Sequence, residues 1–534
     1  MTFDLSRLLA PQSIAVVGGG AWCRNVVKQS LAMGFLGRIY RVHPDSAPVE
    51  GITAVATIEE LPEAPDAVFL GINRHATIDA VRVLSHMGAG GAVCFASGFR
   101  EALAEDVEAG SLQDTLVEAA GDMPVLGPNC YGFINAVDGA LLWPDQHGCP
   151  PVERGVAILT QSSNIAINLT MQQRALPIAY VVTCGNMAQV QQAEIALSLL
   201  DDPRVTVIGL HVEGFGDTGI WHQVALKARE KSVPLVSIKV GASEQAQTAA
   251  ISHTASLAGS DAGAGALLER LGIARVHDLP VFLSALMLLH CYGGLDGTAL
   301  SSISCSGGEA SLVCDLGLAH PVSFPPLKEA QKEALAEALG PMVALSNPLD
   351  YHTYIWGDQA RMTAAWLPMA APHIALTLIV LDYPHTDPSA WEAATEAAIA
   401  VHKRSTRPVA VVASLPELLP LEVSARLLAN GVVPIHGLSE ALAAAAAVGR
   451  MRPATAEPAL PALRAAKGQM VTEADAKTLL AEFGVRSPLS VRAECGDDLA
   501  LKAADLTPPL VLKAEGVAHK SEAGGICFNL DALD

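Results

Sequence analysis

Repeated alternation of short apolar runs with helical stretches predicts an α/β protein built around parallel sheets. The alternation occupies three parts of the chain, near residues 13–136, 155–289 and 301–435, as expected of β-α-β units. With 534 residues the chain is too long for one hydrophobic core, so we expect several domains. It is 51% hydrophobic but only 4% aromatic, which indicates cores packed mainly from aliphatic side chains. We place the domains at residues 1–137, 150–291 and 298–450, a linker at 451–468 and a further domain at 469–534.

The first domain is predicted to be Rossmann-like. Its first strand, SIAVVG, leads through Gly18 and Gly19 into a helix, so backbone amides at the helix start are placed to hold a phosphate, with a plain tight turn as the alternative. The second strand ends in His43 and Pro44 without the acidic residue that binds the ribose of NAD, which argues against a dehydrogenase. The loop GPNCYG, with Asn129, closes the domain as a turn or as a point of close approach to a ligand.

The second domain contains two candidate sites. The strand GVAILT is followed by Gln161, Ser162 and Ser163 at a helix start, where hydroxyl and amide donors form an anion site or simply cap the helix. His253 stands among small and hydroxyl residues in SHTASLAG; this leaves room for a phosphate on the imidazole, although a lone histidine is more often structural. Glu213 follows a predicted strand in HVEG and is a candidate to orient that ring.

The third domain repeats the strand-to-helix pattern. Ser306, Gly307 and Gly308 follow the strand SSISC, and we predict a second anion-binding loop or a domain contact there. Four residues of this domain are predicted to lie near a substrate pocket, with core packing or surface exposure as the alternatives: Trp356, Tyr351, Asp382 and Glu392.

The last predicted domain follows a segment rich in Pro and Ala, as expected of a linker. Its helix, VTEADAKTLLAEFGV, is predicted to have Thr472 as its N-cap and to stop at Gly484. A strand, PPLVLKAEG, and a loop, HKSEAGG, follow. About sixty residues are too few for the β-rich nucleotide domain that these elements begin, so we expect this domain to be incomplete.

Composition and charge exclude several classes of protein. The sequence has no run of eighteen apolar residues and no basic segment ahead of an apolar one at its start, so we predict a cytoplasmic protein that neither crosses a membrane nor is secreted. Ten cysteines without a CxxC pair predict neither a metal site nor a disulfide framework. A net charge of −21 repels phosphate backbones, so nucleic acid is not expected as a partner.

Taken together and in order, these strings resemble the acyl-CoA synthetases of the NDP-forming type, also called ADP-forming acetyl-CoA synthetases, which are related to succinyl-CoA synthetase. The strings span essentially the whole chain: SIAVVGGG, RVHP, GPNCYG, TQSSN, TCGN, EGFGD, SHTASLAG, SCSGG, NPLD and VLKAEGVAHKSEAGG. The resemblance implies an N-terminal Rossmann-like CoA-binding domain, two flavodoxin-like domains of the succinyl-CoA synthetase type, and the beginning of an ATP-grasp domain.

The resemblance also implies roles for individual residues. His253 is the phosphoryl carrier, Glu213 stabilises it, and His519 is a second carrier closer to the nucleotide, whose phosphates Lys513 contacts. The residues implied in CoA binding are Gly18, Gly19, His43, Pro44 and Asn129. The residues implied in a phosphate cradle are Gln161, Ser162, Ser163, Ser306, Gly307 and Gly308.

The implied function is ATP-dependent acid–CoA ligation with release of ADP, through phosphohistidine and acyl-phosphate intermediates. The implied cofactors are CoA, ATP or ADP, and Mg²⁺, whose ligands are expected in the missing C-terminal part, and the expected assembly is a homodimer. The small carboxylic acid stays open among acetate, propionate, an aryl acid and dimethylsulfoniopropionate. An acyl group with a β leaving group would permit a further elimination, with Glu392 or Glu396 as the base.

Two positions depart from the family pattern. Ser163 stands where many relatives have the glycine of SQSG, and Ala255 stands where they have the glycine of SHTGS, so the cradle is altered. The alternative function is a catalytically altered CoA-binding regulator or acyltransferase-associated module. Such relatives typically replace the histidine that this chain retains at His253, which favours the enzyme.

Overall fold

Three sheets flanked by helices, two parallel and one mainly parallel, make up the larger of the two units into which the chain divides, Met1–Ala459 and Leu460–Asp534. This computed structural model describes residues 3–243, 245–246, 260–455, 471–516 and 524–531. The predicted α/β class is confirmed. Across those described ranges, no helix is long and apolar enough to cross a membrane.

The first sheet has the strand order of a dinucleotide-binding fold. Its strands are β1 (Ser13–Val17), β2 (Arg38–Val42), β3 (Ala54–Val55), β4 (Ala67–Leu70), β5 (Ala92–Cys94) and β6 (Val125–Leu126). Its helices are α1 (Ser6–Leu9), α2 (Ala21–Ala32), α3 (Arg74–Met87) and α4 (Ala109–Ala120). All strands are parallel, in the order β3-β2-β1-β4-β5-β6. The order reverses between β1 and β4, and ligands of such sheets bind beyond the carboxyl ends at that point.

The second sheet combines five parallel strands with an antiparallel hairpin. Its strands are β7 (Phe133–Asn135), β8 (Ala140–Leu142), β9 (Gly155–Thr160), β10 (Ile178–Thr183), β11 (Val205–Val212), β12 (Leu235–Lys239) and β13 (Ala274–Val276). Its helices are α5 (Ser163–Thr170), α6 (Gln192–Leu199), α7 (Thr218–Lys231), α8 (Asp261–Arg270) and α9 (Leu279–Tyr292). The order is β13-β12-β11-β9-β10-β7-β8, and β7 pairs antiparallel with β10. The predicted first domain ended at residue 137, so β7 lies within it by sequence but belongs to the second sheet by pairing.

The third sheet is shorter and entirely parallel. Its strands are β14 (Leu300–Ser304), β15 (Leu349–Asp350), β16 (Leu376–Val380), β17 (Val409–Ala413) and β18 (Val433–His436), in the order β15-β14-β16-β17-β18. Its helices are α10 (Gly307–Gly317), α11 (Glu329–Leu339), α12 (Gln359–Trp366), α13 (Glu392–Ser405), α14 (Leu421–Ala429) and α15 (Leu438–Gly449). The apolar helix α9 packs against the Ala-rich α15. One continuous apolar core therefore joins the second and third sheets.

The smaller unit contains α16 (Glu473–Glu482), α17 (Gly496–Lys502) and an antiparallel pair of strands, β19 (Leu510–Lys513) and β20 (Ile526–Leu530). The Thr472 side chain accepts a hydrogen bond from the backbone N–H of Asp475 at 3.2 Å, so it caps α16 as predicted. Most of the predicted linker lies outside the described residues.

Candidate active site

A cleft of about 690 Å³ opens where the carboxyl edges of the first and second sheets meet. The first sheet contributes the segments after β4 and β5 and the GPNCYG loop, and the second contributes the segments after β9, β10 and β11. The lining residues are Gly71, Ile72, Asn73, Arg74, Phe95, Ala96, Ser97, Asn129, Cys130, Tyr131, Gln161, Ser162, Ser163, Gly185, Asn186 and Glu213. Five residues of the sequence prediction are thus in one cleft: Asn129, Gln161, Ser162, Ser163 and Glu213.

The predicted cofactor loop lies beside this cleft. Gly18 has φ +123°, and a Cβ there would approach the carbonyl oxygen of Gly71 to 2.7 Å, so only glycine lets this turn rest on the cleft wall. A Cβ on Gly19 would lie 2.3 Å from Nε2 of His43, which places the His43 ring against the glycine loop. Pro44 follows His43 directly after β2. The structure therefore places the glycine loop after β1 beside His43 and Pro44 after β2, at the carboxyl edge of the first sheet.

The start of α5 presents hydroxyl groups to the cleft. Ser162 is the N-cap, and its side chain accepts a hydrogen bond from the Ile165 N–H at 3.4 Å. Ser163 Oγ accepts a hydrogen bond from the Tyr131 N–H at 3.2 Å, which joins this helix start to the GPNCYG loop. Behind them, Thr160 Oγ1 donates to the Ser162 carbonyl at 3.1 Å. The helix start is therefore held firmly, with its positive dipole end towards the cleft.

Gln161 has a different role from the one predicted by its position in the motif. Its Oε1 accepts hydrogen bonds from the Glu213 N–H and, at 3.0 Å, from the Gly214 N–H. Its Nε2 donates to the Gly214 carbonyl at 2.9 Å. The buried side-chain amide thus clamps the backbone that carries Glu213, and these bonds occupy the groups with which it would bind a phosphate.

The backbones of the first and second domains are in close contact at the base of the cleft. Gly185, in the TCGN string, has φ +54°, and a Cβ there would lie 2.3 Å from the Pro128 carbonyl oxygen. The next residue, Asn186, donates its N–H to the same carbonyl at 3.0 Å and its side-chain amide to Glu101. Because these bonds cross between the domains, the cleft is a preformed feature of one unit.

Two buried basic residues, near the ends of β11 and β12, were not predicted. His211 is buried in β11, with Nδ1 3.2 Å from Thr160 Oγ1. Burial and the nearby charge of Lys239 lower the pKa of His211 to about 4, so the ring is neutral at pH 7. Burial likewise lowers the pKa of Lys239, at the end of β12. A buried lysine at a strand end is a signal that the sequence carries, in PLVSIKVG.

The second predicted cradle, Ser306, Gly307 and Gly308, lies at the start of α10 in acidic surroundings. Asp350 Oδ2 lies 3.2 Å from the position of a Cβ on Gly307. Burial raises the pKa of Glu309, in the first turn, to about 7, with added effects from Asp382 and Asp350. An anion at this helix start would therefore require a protonated Glu309 or a bound cation. Phosphate binding here stays a prediction.

The predicted pocket residues of the third domain are dispersed within it. Tyr351 is 1% exposed and stacks edge-on with Trp366. Trp356 stacks on Trp391, and Asp382 accepts hydrogen bonds from the backbone and hydroxyl groups of Ser414.

Glu392 pairs with Arg426 at 2.7 Å, and Glu396 pairs with the same guanidinium at 2.5 Å. Hydrogen bonding to Arg426 lowers the pKa of Glu392, which opposes a role as general base. Within the described ranges, the walls of the cleft include neither carboxylate, nor Trp356, Tyr351 or Asp382.

In the smaller unit, Lys513 donates a hydrogen bond to Glu473 at 2.6 Å. His253 and His519 lie outside the described residues. Where the chain is described, no group of three or more His, Cys, Asp or Glu side chains is placed to hold a metal ion.

Several cleft residues were not predicted from the sequence, because they belong to none of the motifs described above. Asn73 caps α3 by accepting from the Ala76 N–H at 3.0 Å, and Arg74 bonds Gly98 and Asp106 across the cleft edge. Their position in the sequence could have indicated them, because both follow a buried strand and the loops at the carboxyl ends of parallel strands bind ligands.

The chain matches two protein families. A CoA binding domain matches residues 12–136, and a succinyl-CoA ligase-like flavodoxin domain matches residues 153–289.

Among curated relatives, trans-feruloyl-CoA synthase from an unknown prokaryotic organism is 28% identical over 99% of this chain and 78% of its own length. The ADP-forming 4-hydroxybutyrate–CoA ligase of Nitrosopumilus maritimus is 23% identical over 98% of this chain and 78% of its own length. The ADP-forming acetate–CoA ligase of Methanocaldococcus jannaschii is 25% identical over 65% of this chain and 49% of its own length.

Solved structures establish the fold. Acetyl-coenzyme A synthetase 1 of Candidatus Korarchaeum cryptofilum, in complex with phosphate and ADP, superposes with a TM-score of 0.71 at 22% identity, over 83% of this chain and 96% of that one. These curated relatives are CoA ligases or synthases, two of them named as ADP-forming, which confirms the predicted enzyme class, an ADP-forming acid–thiol ligase. The chain thus carries a CoA binding domain followed by a succinyl-CoA ligase-like flavodoxin domain, and along nearly its whole length it is similar to ADP-forming acyl-CoA synthetases.

Proposed function

We propose that this chain ligates a carboxylic acid to CoA with conversion of ATP to ADP, through a phosphorylated His253 and an acyl phosphate. The observation that carries the proposal is the cleft, in which the carboxyl edge of a CoA-binding domain faces a helix start with two serines and the segment that holds Glu213. The relatives named above are ligases for ferulate, 4-hydroxybutyrate and acetate, so the reaction type is common to acids that differ in size.

CoA enters this proposal as the ligand of the first domain. Its pyrophosphate lies at the start of α2, where Gly20 is the N-cap and no described side chain caps the first turn. Arg24 donates to the Gly19 carbonyl at 2.6 Å, so its positive charge stands at the same turn. From there the extended pantetheine arm follows the strand ends past Asn129 and brings the thiol into the cleft.

The proposed chemistry consists of three transfers. A ring nitrogen of His253 takes the γ-phosphoryl group of ATP, with His519 as the intermediate carrier, and ADP leaves. A carboxylate oxygen of the acid then takes the phosphoryl group, which restores the imidazole and gives the acyl phosphate. Finally the CoA thiolate attacks the acyl carbon, and phosphate leaves as the thioester forms. A covalent carrier divides one difficult condensation into steps of similar energy.

The cleft residues supply charge stabilisation for these steps. The Ser162 and Ser163 hydroxyls and the amide end of α5 hold the phosphoryl oxygens, because a helix start favours negative charge. Glu213 orients the imidazole and stabilises its phosphorylated cation, and Gln161 keeps the Glu213 backbone in position. Ser163, in place of a flexible glycine, adds a hydroxyl whose oxygen is already bonded to the Tyr131 N–H.

The adenine nucleotide belongs to the smaller unit in this proposal. Lys513 contacts the nucleotide phosphates, and His519 passes the phosphoryl group towards His253. The Glu473 carboxylate that now pairs with Lys513 would release it when a more highly charged phosphate arrives. A homodimer is the proposed assembly.

The test is labelling of the full-length gene product with γ-labelled ATP and Mg²⁺. We expect acid-labile, base-stable label that one acid plus CoA discharges, with no label in His253→Ala. His86→Ala is the matched control, because His86 is an exposed histidine on α3 and its loss should leave the label intact. Glu213→Gln should lower the amount of label without abolishing CoA binding.

The regulatory alternative makes a different prediction for the same samples. A CoA-binding module that has lost its chemistry would bind CoA in equilibrium dialysis but take no label from ATP. Full labelling of His253→Ala would also contradict the proposed carrier.

A further inference from the structure

Three aromatic rings meet at the edge of the cleft. Trp22 lies 5.7 Å from Phe95 and 6.1 Å from Tyr131, and Phe95 lies 5.7 Å from Tyr131, measured between ring centroids. Phe95 and Tyr131 line the cleft, and Trp22 is 42% exposed. These three residues are called the aromatic wall. In a chain with only 4% aromatic residues, such a cluster at a ligand cleft requires an explanation.

Buried rings hold the aromatic wall in place from behind. Phe69, in β4, is fully buried and lies 5.6 Å from Phe95. Trp143 is also fully buried and lies edge-on to Tyr131 at 5.6 Å. Since neither backing ring can move without opening the core, the two cleft-facing rings are preorganised. A rigid aromatic surface of this kind favours another ring, in offset or edge-to-face contact.

The aromatic wall adjoins the place where the acid would react. The Tyr131 N–H donates to Ser163 Oγ at 3.2 Å, and Ser162 and Ser163 form the helix start assigned above to the transferred phosphoryl group. When the carboxylate of the acid accepts the phosphoryl group at this helix start, the remaining carbon atoms of the acid lie beside Tyr131 and Phe95.

We infer that the acid activated by this protein carries an aromatic ring, which packs on the two cleft-facing rings of the aromatic wall, Phe95 and Tyr131. The inference rests on the proposed function, because it takes Ser162 and Ser163 as the reacting end of the cleft. It narrows the acid to the aryl and arylalkenoic class, and excludes acetate as the preferred substrate.

The competing occupant is the adenine ring of CoA. In an extended CoA molecule the adenine lies at the opposite end from the thiol, and the thiol must reach the acyl phosphate. A ring stacked beside Ser163 therefore belongs to the acid and not to the nucleotide end of CoA. The pantetheine arm between them contains no ring to stack.

The test compares cinnamate with acetate as substrates of the full-length protein. We expect a higher kcat/KM for cinnamate than for acetate in the wild type. Phe95→Leu keeps apolar volume but removes a cleft-facing ring, and should lower the cinnamate-to-acetate ratio of kcat/KM by about tenfold or more. The KM for CoA should change by less than about twofold. Trp391→Leu, which removes a stacked ring outside the cleft, is the matched control and should leave the ratio unchanged.

Two results would overturn the inference while leaving the ligase intact. One is a wild type that activates acetate but neither cinnamate nor benzoate. The other is a Phe95→Leu variant in which the KM for CoA rises and the ratio does not change, which would assign the cleft-facing rings to CoA.

A direct binding measurement separates failure of the inference from failure of the proposed function. Saturation-transfer NMR should detect contact of the cinnamate ring protons with the wild type, and this contact should be lost in Phe95→Leu. If ligation fails but this contact is present, the aromatic site stands and the proposed reaction does not. Absence of the contact in the wild type would refute the aromatic site.

Discussion

Replacing Gln161 by alanine tests whether a single buried amide positions the Glu213 segment. The side chain is 8% exposed, and its loss removes three hydrogen bonds to the backbone of Glu213 and Gly214. At roughly 1 kcal/mol for each bond, the backbone at this point loses about 3 kcal/mol of protection against local opening. That corresponds to roughly a hundredfold faster amide hydrogen exchange.

Hydrogen exchange measured by mass spectrometry is the appropriate assay, because a multidomain chain does not unfold in one step. The peptide that covers residues 210–216 should exchange roughly a hundredfold faster in Gln161→Ala. The matched control is Gln189→Ala. Gln189 bonds the Val125 N–H and the Gly121 carbonyl, both at 2.8 Å, so its loss should accelerate exchange near Val125 and leave residues 210–216 unchanged.

A second variant separates bond donation from bond acceptance. Gln161→Glu keeps the Oε1 acceptor for both backbone amides but cannot donate to the Gly214 carbonyl, and it sets a carboxylate oxygen against that carbonyl. We expect exchange at least as fast as in Gln161→Ala, together with less phosphorylated protein. Unaltered exchange in both variants would refute the clamp, and Gln161 would then return to the predicted role of binding phosphate directly.

Three further predictions concern stability and protonation. The pKa of Glu309 is raised by burial and neighbouring carboxylates from its ordinary value of 4.5 to about 7, so stability should fall as pH rises from 4.5 to 7. Glu309→Gln should remove that slope, on the order of 1 kcal/mol after solvent screening, in denaturant titrations at several pH values. The lowered pKa of His211, about 4, predicts no imidazole titration between pH 5 and 8 by NMR, and a stability contribution that is lost as pH falls from 6.5 to 4. Gly185→Ala should lower the melting temperature more than Gly293→Ala, because both have positive φ but only the first meets the Pro128 carbonyl.

Much of the fold follows from periodicity in the sequence. The three alternating stretches, the strand ends at Thr160 and Ser304, and the cap at Thr472 are local features, and each is present in the structure. Strand partnership is not local. β7 is a three-residue run that the sequence places after the first domain's last loop, and its antiparallel pairing with β10 depends on packing.

The site was predictable as a set of loops but not as a set of contacts. Ser162 and Glu213 were each predicted to follow a strand, and both line the cleft because the carboxyl ends of parallel strands lie at one edge of the sheet. Gln161 shares a motif with Ser162, yet its side chain turns to the backbone of the next strand end. Motif position alone does not distinguish these orientations, since rotamers depend on neighbours from other elements.

By itself, the sequence determined the α/β class, the two strand-to-helix turns, the glycine loop and the resemblance to ADP-forming acyl-CoA synthetases, because these depend on local backbone preference and on ordered sequence motifs. Only the tertiary structure decided that the edges of the first and second sheets face one another. That contact brings Tyr131 to Ser163, and packing within the first domain brings Trp22 to Phe95, although more than seventy residues separate them. Such contacts depend on which apolar faces pack together, and residue spacing along the chain does not encode that choice.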